Sequence, residues 1–143
     1  MKKINIFIHT YKVNDWKPIR DEQLEYINNS GLKDVSDVHI CHYDNELKTQ
    51  LDMWEHSKTN DSYYLYLHNL GITWQGTKHE KITERYRRWC MDGVVKNWKE
   101  YISYLDEYSH HFSRQLSLSI LYHSILVYHT TIIPLACTHL HLP

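Results

Sequence analysis

The sequence predicts an α/β domain on an open, mostly parallel sheet, and three observations predict it. Along residues 1–108, segments with the two-residue period of strands alternate with segments of helical spacing, the pattern of an α/β layer rather than of a bundle or a sandwich. One strand-like run, Tyr63 to His68 (YYLYLH), is apolar on both faces, as a strand covered by helices on each side would be. The chain has 143 residues, a length at which roughly 70% of the unfolded surface can be buried, so one real core fits and two domains would be a squeeze.

The first element, Lys3 to His9 (KINIFIH), sets Ile4, Ile6 and Ile8 on one face and Asn5, Phe7 and His9 on the other. Asn14 or Asp15 is placed to cap the first helix, Pro18 tolerates its early turn, and Trp16, Ile19, Leu24 and Ile27 form its face until Gly31 stops it. Asp37 to Tyr43 (DVHICHY) alternates as a second strand, and Leu47, Leu51 and Trp54 then recur at helical spacing through Lys58. The third strand, Tyr63 to His68, is expected at the centre of the sheet. After a polar loop from Asn69 to His79, the residues Trp89, Val94 or Val95, Trp98, Ile102 and Leu105 mark one long helix ending near Tyr108, which Gly93 weakens.

Composition narrows the partners. A formal net charge of −1 offers no overall field for nucleic acid or an anionic membrane. Twelve Tyr and five Trp supply ample apolar area for a core. Cys41, Cys90 and Cys137 form no Cys-x-x-Cys pair, which fits reduced thiols and predicts a cytoplasmic setting.

In open α/β sheets ligands lie beyond the carboxyl ends of the strands, which directs attention to two turns. After the first strand, Thr10 and Tyr11 offer hydroxyls and a ring for a base and ribose; ordinary turn residues are the competing reading. After the third, His68 and Asn69 offer groups for a phosphate or a metal, and Gly71 permits close backbone approach; a satisfied strand-end histidine competes equally. Farther on, Arg87 and Arg88 close a cationic run that begins at Lys78, where a diphosphate is one reading and a solvated face neutralised by Glu80 and Glu84 the other. No Asp-x-Asp pair, dinucleotide-binding glycine motif, phosphate-cradling loop or zinc-type His/Cys spacing occurs.

The stretches FIHTYKVNDW, DMWEHSKTNDSYYLYLHNLGIT and RRWCMDGVVKNWKEYISYLDEY together resemble a family of small glycosyltransferase domains of large algal DNA viruses and bacterial glycan clusters. The most specific pieces are the strand ending in His68-Asn69-Leu70-Gly71 and the segment Arg88-Trp89-Cys90-Met91. The resemblance covers about residues 3–108. It implies a Rossmann-like, GT-A-type nucleotide-binding half, in which Thr10, Tyr11, His68, Asn69 and Gly71 face a nucleotide sugar. It further implies a glycan or glycoprotein acceptor, a host cytoplasmic location if viral, and manganese or magnesium as the cation on the leaving diphosphate. The absent Asp-x-Asp pair leaves that cation without a visible ligand set, and Leu70 stands where the family pattern carries a cation. The catalytic base is not identified.

Every Asp, Glu, Lys and Arg lies at or before Arg114, so residues 109–143 read as a separate, apolar tail that is uncharged beyond Arg114. Where such proteins continue His-Phe-Ser-Gly-Asn-Phe, this chain has His111-Phe112-Ser113-Arg114-Gln115-Leu116. CGG CAA CTT encodes Arg-Gln-Leu, and the same letters one base along, followed by T, encode Gly-Asn-Phe. The expectation is therefore an out-of-frame tail replacing the acceptor half, and a truncated, inactive enzyme. Two further readings of the tail are a membrane anchor at Leu116 to Leu142, opposed by His123, His129 and Pro134, and a packed element of the domain. A non-enzymatic interaction or membrane-tethered protein with a vestigial pocket is the alternative to the transferase.

Overall fold

The computed structural model describes residues 2–111 and 125–128, with side-chain surroundings for residues 2–107. Its elements run β1 (Ile4–His9), α1 (Trp16–Asn29), β2 (Ser36–Cys41), α2 (Glu46–Ser57), β3 (Tyr63–His68), α3 (Glu80–Val94), α4 (Trp98–His111) and β4 (Ile125–Tyr128). The sheet order is β2-β1-β3-β4. β1 is parallel to both neighbours, with Ile6 opposite Val38 on one side and Leu65 on the other, and β4 runs antiparallel to β3 with Tyr128 opposite Tyr64. The architecture is thus α/β, with a three-strand parallel sheet and an antiparallel fourth strand. Gly31 ends α1 as expected, in the left-handed conformation (φ 72°) that its missing side chain permits.

Helices cover both faces. On one, Ile27 of α1, Cys90 and Met91 of α3 and Trp98, Ile102 and Leu105 of α4 pack against Ile4, Ile6, Ile8, Leu65 and Leu67. On the other, Met53 of α2 packs against Phe7, Tyr64 and Tyr66. β3 is buried from Tyr63 to Leu67 between these layers, and β1 is buried along its whole length. The alternating sequence of β1 therefore marks two chemically different layers rather than an inside and an outside.

Two expectations are corrected. The long helix expected to end near Tyr108 is two helices, broken between Val94 and Trp98. Asn97 makes the break: its amide Nδ2 donates to the carbonyls of Asp92 and Gly93, while its own carbonyl accepts from Glu100, starting α4.

The apolar face assigned to α2 is turned outward. Leu47, Leu51 and Trp54 are 54, 49 and 39% exposed, whereas Thr49 and Met53 are buried. The reason lies in the sheet, which presents His9, Tyr64, Tyr66 and His68 to α2. Those groups need hydrogen-bond partners, and α2 supplies Glu46, Thr49 and His56.

Within the tail set apart by composition, residues 125–128 join the sheet edge; the frame-change and anchor readings otherwise concern positions outside the described residues. Among the described residues, no helix is long and apolar enough to cross a membrane.

Candidate functional site at the strand ends

β1 is a switch point of the sheet. The connection from β1 to β2 runs through α1 on one face, and that from β2 to β3 runs through α2 on the other. The order of the strands therefore reverses at β1, while the chain leaves both β1 and β3 toward helices on the same face, and the carboxyl ends at such a reversal of strand order are where open α/β sheets bind ligands.

Here the loops that follow β1 and β3 are fastened together. The Tyr11 amide donates to Asn69 Oδ1 (3.2 Å), and Asn69 Nδ2 donates to the Tyr11 carbonyl (2.9 Å). Gln75 makes the same reciprocal pair with the backbone of Asp15, at 2.9 and 3.0 Å, and Asn14 Nδ2 donates to the Ile72 carbonyl at 2.8 Å. Two side-chain amides thus act as a surrogate strand between loops that cannot pair directly. Asn14, a candidate helix cap in the sequence, sits at φ 48° to make its bond, and Asp15 occupies the cap position of α1 without a side-chain capping bond.

The seven candidate residues do not converge on one ligand-sized volume. Tyr11 lies at the rim, 36% exposed. Thr10 is fully buried, extends β1 through its amide to the Cys41 carbonyl, and has a hydroxyl that bonds to none of the described residues. Asn69 is buried in the clasp. Gly71 adopts φ 89°, and a Cβ there would lie 2.8 Å from Thr83 Oγ1, so its lack of a side chain serves helix packing against α3.

Arg87 and Arg88 lie on the α1 side of the sheet, both paired with Glu22 at 2.8 and 2.6 Å. Arg87 also donates to the Leu70 carbonyl, and Arg88 also pairs with Glu84. Against the cost of burial, hydrogen bonds from Arg88 and Arg87 hold the Glu22 carboxyl below its ordinary range. These guanidinium groups border a groove of about 510 Å³ between α1 and α3, whose walls include Asp21, Glu25 and Glu80 as well as Glu22 and Glu84. Five carboxylates against two already-paired arginines make that groove a poor seat for a diphosphate.

His68 points to the opposite face. Its Nδ1 meets Glu46 Oε2 at 2.9 Å, and the Tyr66 hydroxyl donates to the same oxygen at 3.1 Å. The His68 hydrogen bond is the largest influence holding the Glu46 carboxyl at about 2, so the carboxylate is ionised and His68 Nδ1 is the donor. In a neutral imidazole that donor role leaves Nε2 as the acceptor; Nε2 is buried and bonds to none of the described residues. A carboxylate-oriented imidazole can accept a proton at Nε2. Next to it in the sheet, His9 contacts Thr49 Oγ1 at 2.9 Å, and burial pushes its pKa down.

Sequence reading missed Glu46, Glu22 and Gln75, because each is recruited by a residue 22 to 66 positions away and no local motif marks it. Among the described residues, no three His, Cys, Asp or Glu side chains converge to hold a metal ion. No family model, no curated protein and no solved structure matches the chain.

Proposed function

We propose that this protein is a GT-A-type, glycosyltransferase-like domain that binds a nucleotide sugar at the carboxyl edge of β1 and β3, for transfer of the sugar to a glycan or glycoprotein acceptor. The observation that carries the reading is the β1 switch point with its two loops fixed by Asn69 and Gln75, a preorganised edge of the type used for nucleotides. Tyr11 at the rim offers a ring for the base. The reaction in such a site is displacement at the anomeric carbon, with orientation and stabilisation of the leaving diphosphate supplied by the protein. Glu46 orients the His68 imidazole at this edge, and because its Nε2 is buried the reading assigns His68 no contact with the acceptor. Arg87 and Arg88 serve in this reading as ties between α1, α3 and the β3 loop rather than as diphosphate ligands.

The test is calorimetric titration of the full chain with UDP- and GDP-sugars, with and without manganese, beside a donor-hydrolysis assay. Binding weakened by Tyr11→Ala, with circular dichroism unchanged, supports the reading; a folded chain that binds no donor overturns it.

One observation favours a second reading, a non-enzymatic interaction protein: the outward stripe of Leu47, Leu51 and Trp54 on α2. In that case Leu51→Glu abolishes association with a partner while donor titrations stay flat for both chains.

A further inference from the structure

The turn that leads from β1 into α1 gathers positive charge around one indole. Lys12 Nζ, Lys17 Nζ and the Arg20 guanidinium lie 5.5, 6.0 and 5.0 Å from the centre of the Trp16 ring. His42, at the end of β2, meets the same indole edge-on at 5.5 Å. Of the three cations, Arg20 is paired with Asp21, while Lys12 and Lys17 form no ion pair with a described residue. Like charges brought together this way repel one another, and the electron-rich ring offsets only part of that repulsion. An anion would relieve the remainder. The field is felt by a neighbour: after burial, Lys12 and Arg20 are the largest influences pushing the His42 pKa down.

The cluster is built rather than scattered. Lys12 lies between Tyr11 and Asn14, both tied to the β3 loop, and Trp16 follows Asp15, which is tied to Gln75. The first turn of α1 lies here too, with no side-chain cap on its amides. Tyr11 stands on the same loop, and all of it sits on the carboxyl edge of the sheet, on the β2 side of the Asn69 clasp.

We propose that Lys12, Lys17 and Arg20, arranged about Trp16, form the diphosphate-binding subsite for a nucleoside diphosphate. The subsite rests on the donor reading above and replaces the role that the sequence suggested for Arg87 and Arg88. A diphosphate here meets Lys12, Lys17 and an Arg20 that Asp21 already holds at 2.6 Å, whereas in the α1–α3 groove it meets Asp21 with four further carboxylates and two paired arginines.

The experiment titrates inorganic pyrophosphate, UDP, GDP and uridine into the full chain and into Lys12→Gln/Lys17→Gln, with Lys81→Gln/Lys99→Gln as a control of equal net charge. Circular dichroism establishes that all three are folded. The expected result is binding of pyrophosphate and of at least one diphosphate, weakened about tenfold or more in Lys12→Gln/Lys17→Gln and little changed in the control. Pyrophosphate binding with that pattern but no preference for a nucleotide keeps the anion site and overturns the donor reading. Diphosphate binding equal in all three chains keeps the donor reading and overturns this subsite. Equal weakening in both variants shows only a net-charge effect and overturns the subsite, as does the absence of any anion binding.

Discussion

Asn69 holds Tyr11 by both of its backbone hydrogen-bonding groups, at 3.2 Å from the amide and 2.9 Å from the carbonyl, and so joins the loop after β3 to the loop after β1. Asn69 is only 3% exposed, so water cannot readily replace it. Asn69→Ala strands two part-buried backbone groups of Tyr11 and is expected to cost about 1–2 kcal/mol. Urea denaturation reads the loss, and amide exchange at Tyr11 should accelerate more than exchange in α2. Uniform acceleration would mean that the clasp is no local fastening.

Gly71 and Gly31 separate two effects of left-handed backbone. At Gly31 a Cβ meets nothing within 4 Å, so Gly31→Ala carries only conformational strain, about 1 kcal/mol. At Gly71 the same strain adds to a 2.8 Å contact with Thr83, and the expected cost is about 2 kcal/mol or more. Equal melting temperatures for the two variants would contradict the close approach of α3.

Glu22 is shared by two arginines of unequal burial, with side chains 10% exposed for Arg87 and 54% for Arg88. Glu22→Ala leaves Arg87 buried without its carboxylate and is expected to cost about 2–4 kcal/mol. Arg88→Met, at a solvent-screened position, should cost less than about 1 kcal/mol. Chemical denaturation of both variants checks the asymmetry.

Acidification should destabilise the fold in two stages. Burial lowers the pKa of His9 and His39 from the ordinary 6.5, so the unfolded chain binds more protons than the folded one once the pH drops below 6.5. Stability declines from there until the folded histidines also protonate. Glu46, held at about 2 against an ordinary 4.5, contributes fully above pH 4.5 and loses that contribution as the pH falls toward 2. Urea midpoints between pH 7.5 and 5 should slope downward, less steeply in His9→Asn. An unchanged slope in that variant would remove His9 from the account.

The orientation of α2 has a direct test. Leu51→Gln, on the outward stripe, should alter stability by no more than about 0.5 kcal/mol, whereas Met53→Ala in the small cluster with Phe7, Tyr64 and Tyr66 should cost about 2–4 kcal/mol. The reverse order would restore the apolar face read from the sequence.

Local chemistry by itself determined the first three strands, the helices between them and the stop at Gly31. Period-two alternation, helical spacing and a left-handed glycine are properties of neighbouring residues. The doubly buried run Tyr63 to His68 likewise announced an inner strand, because a strand between two helical layers needs apolar groups on both sides. What tertiary structure decided was which side of each element matters. Leu47, Leu51 and Trp54 have helical spacing, yet the histidines and tyrosines beneath α2 demand polar partners, and satisfying buried donors and acceptors outweighs covering three apolar side chains. Arg87 and Arg88 read as diphosphate candidates until Glu22, far away in sequence, is folded against them. The three cations about Trp16 read as an ordinary polar stretch until the Asn69 and Gln75 amides fix the turn that carries them. Charge and hydrogen-bond partners act through space rather than along the chain, so a residue's type is written in the sequence and its use is settled only by what packs beside it.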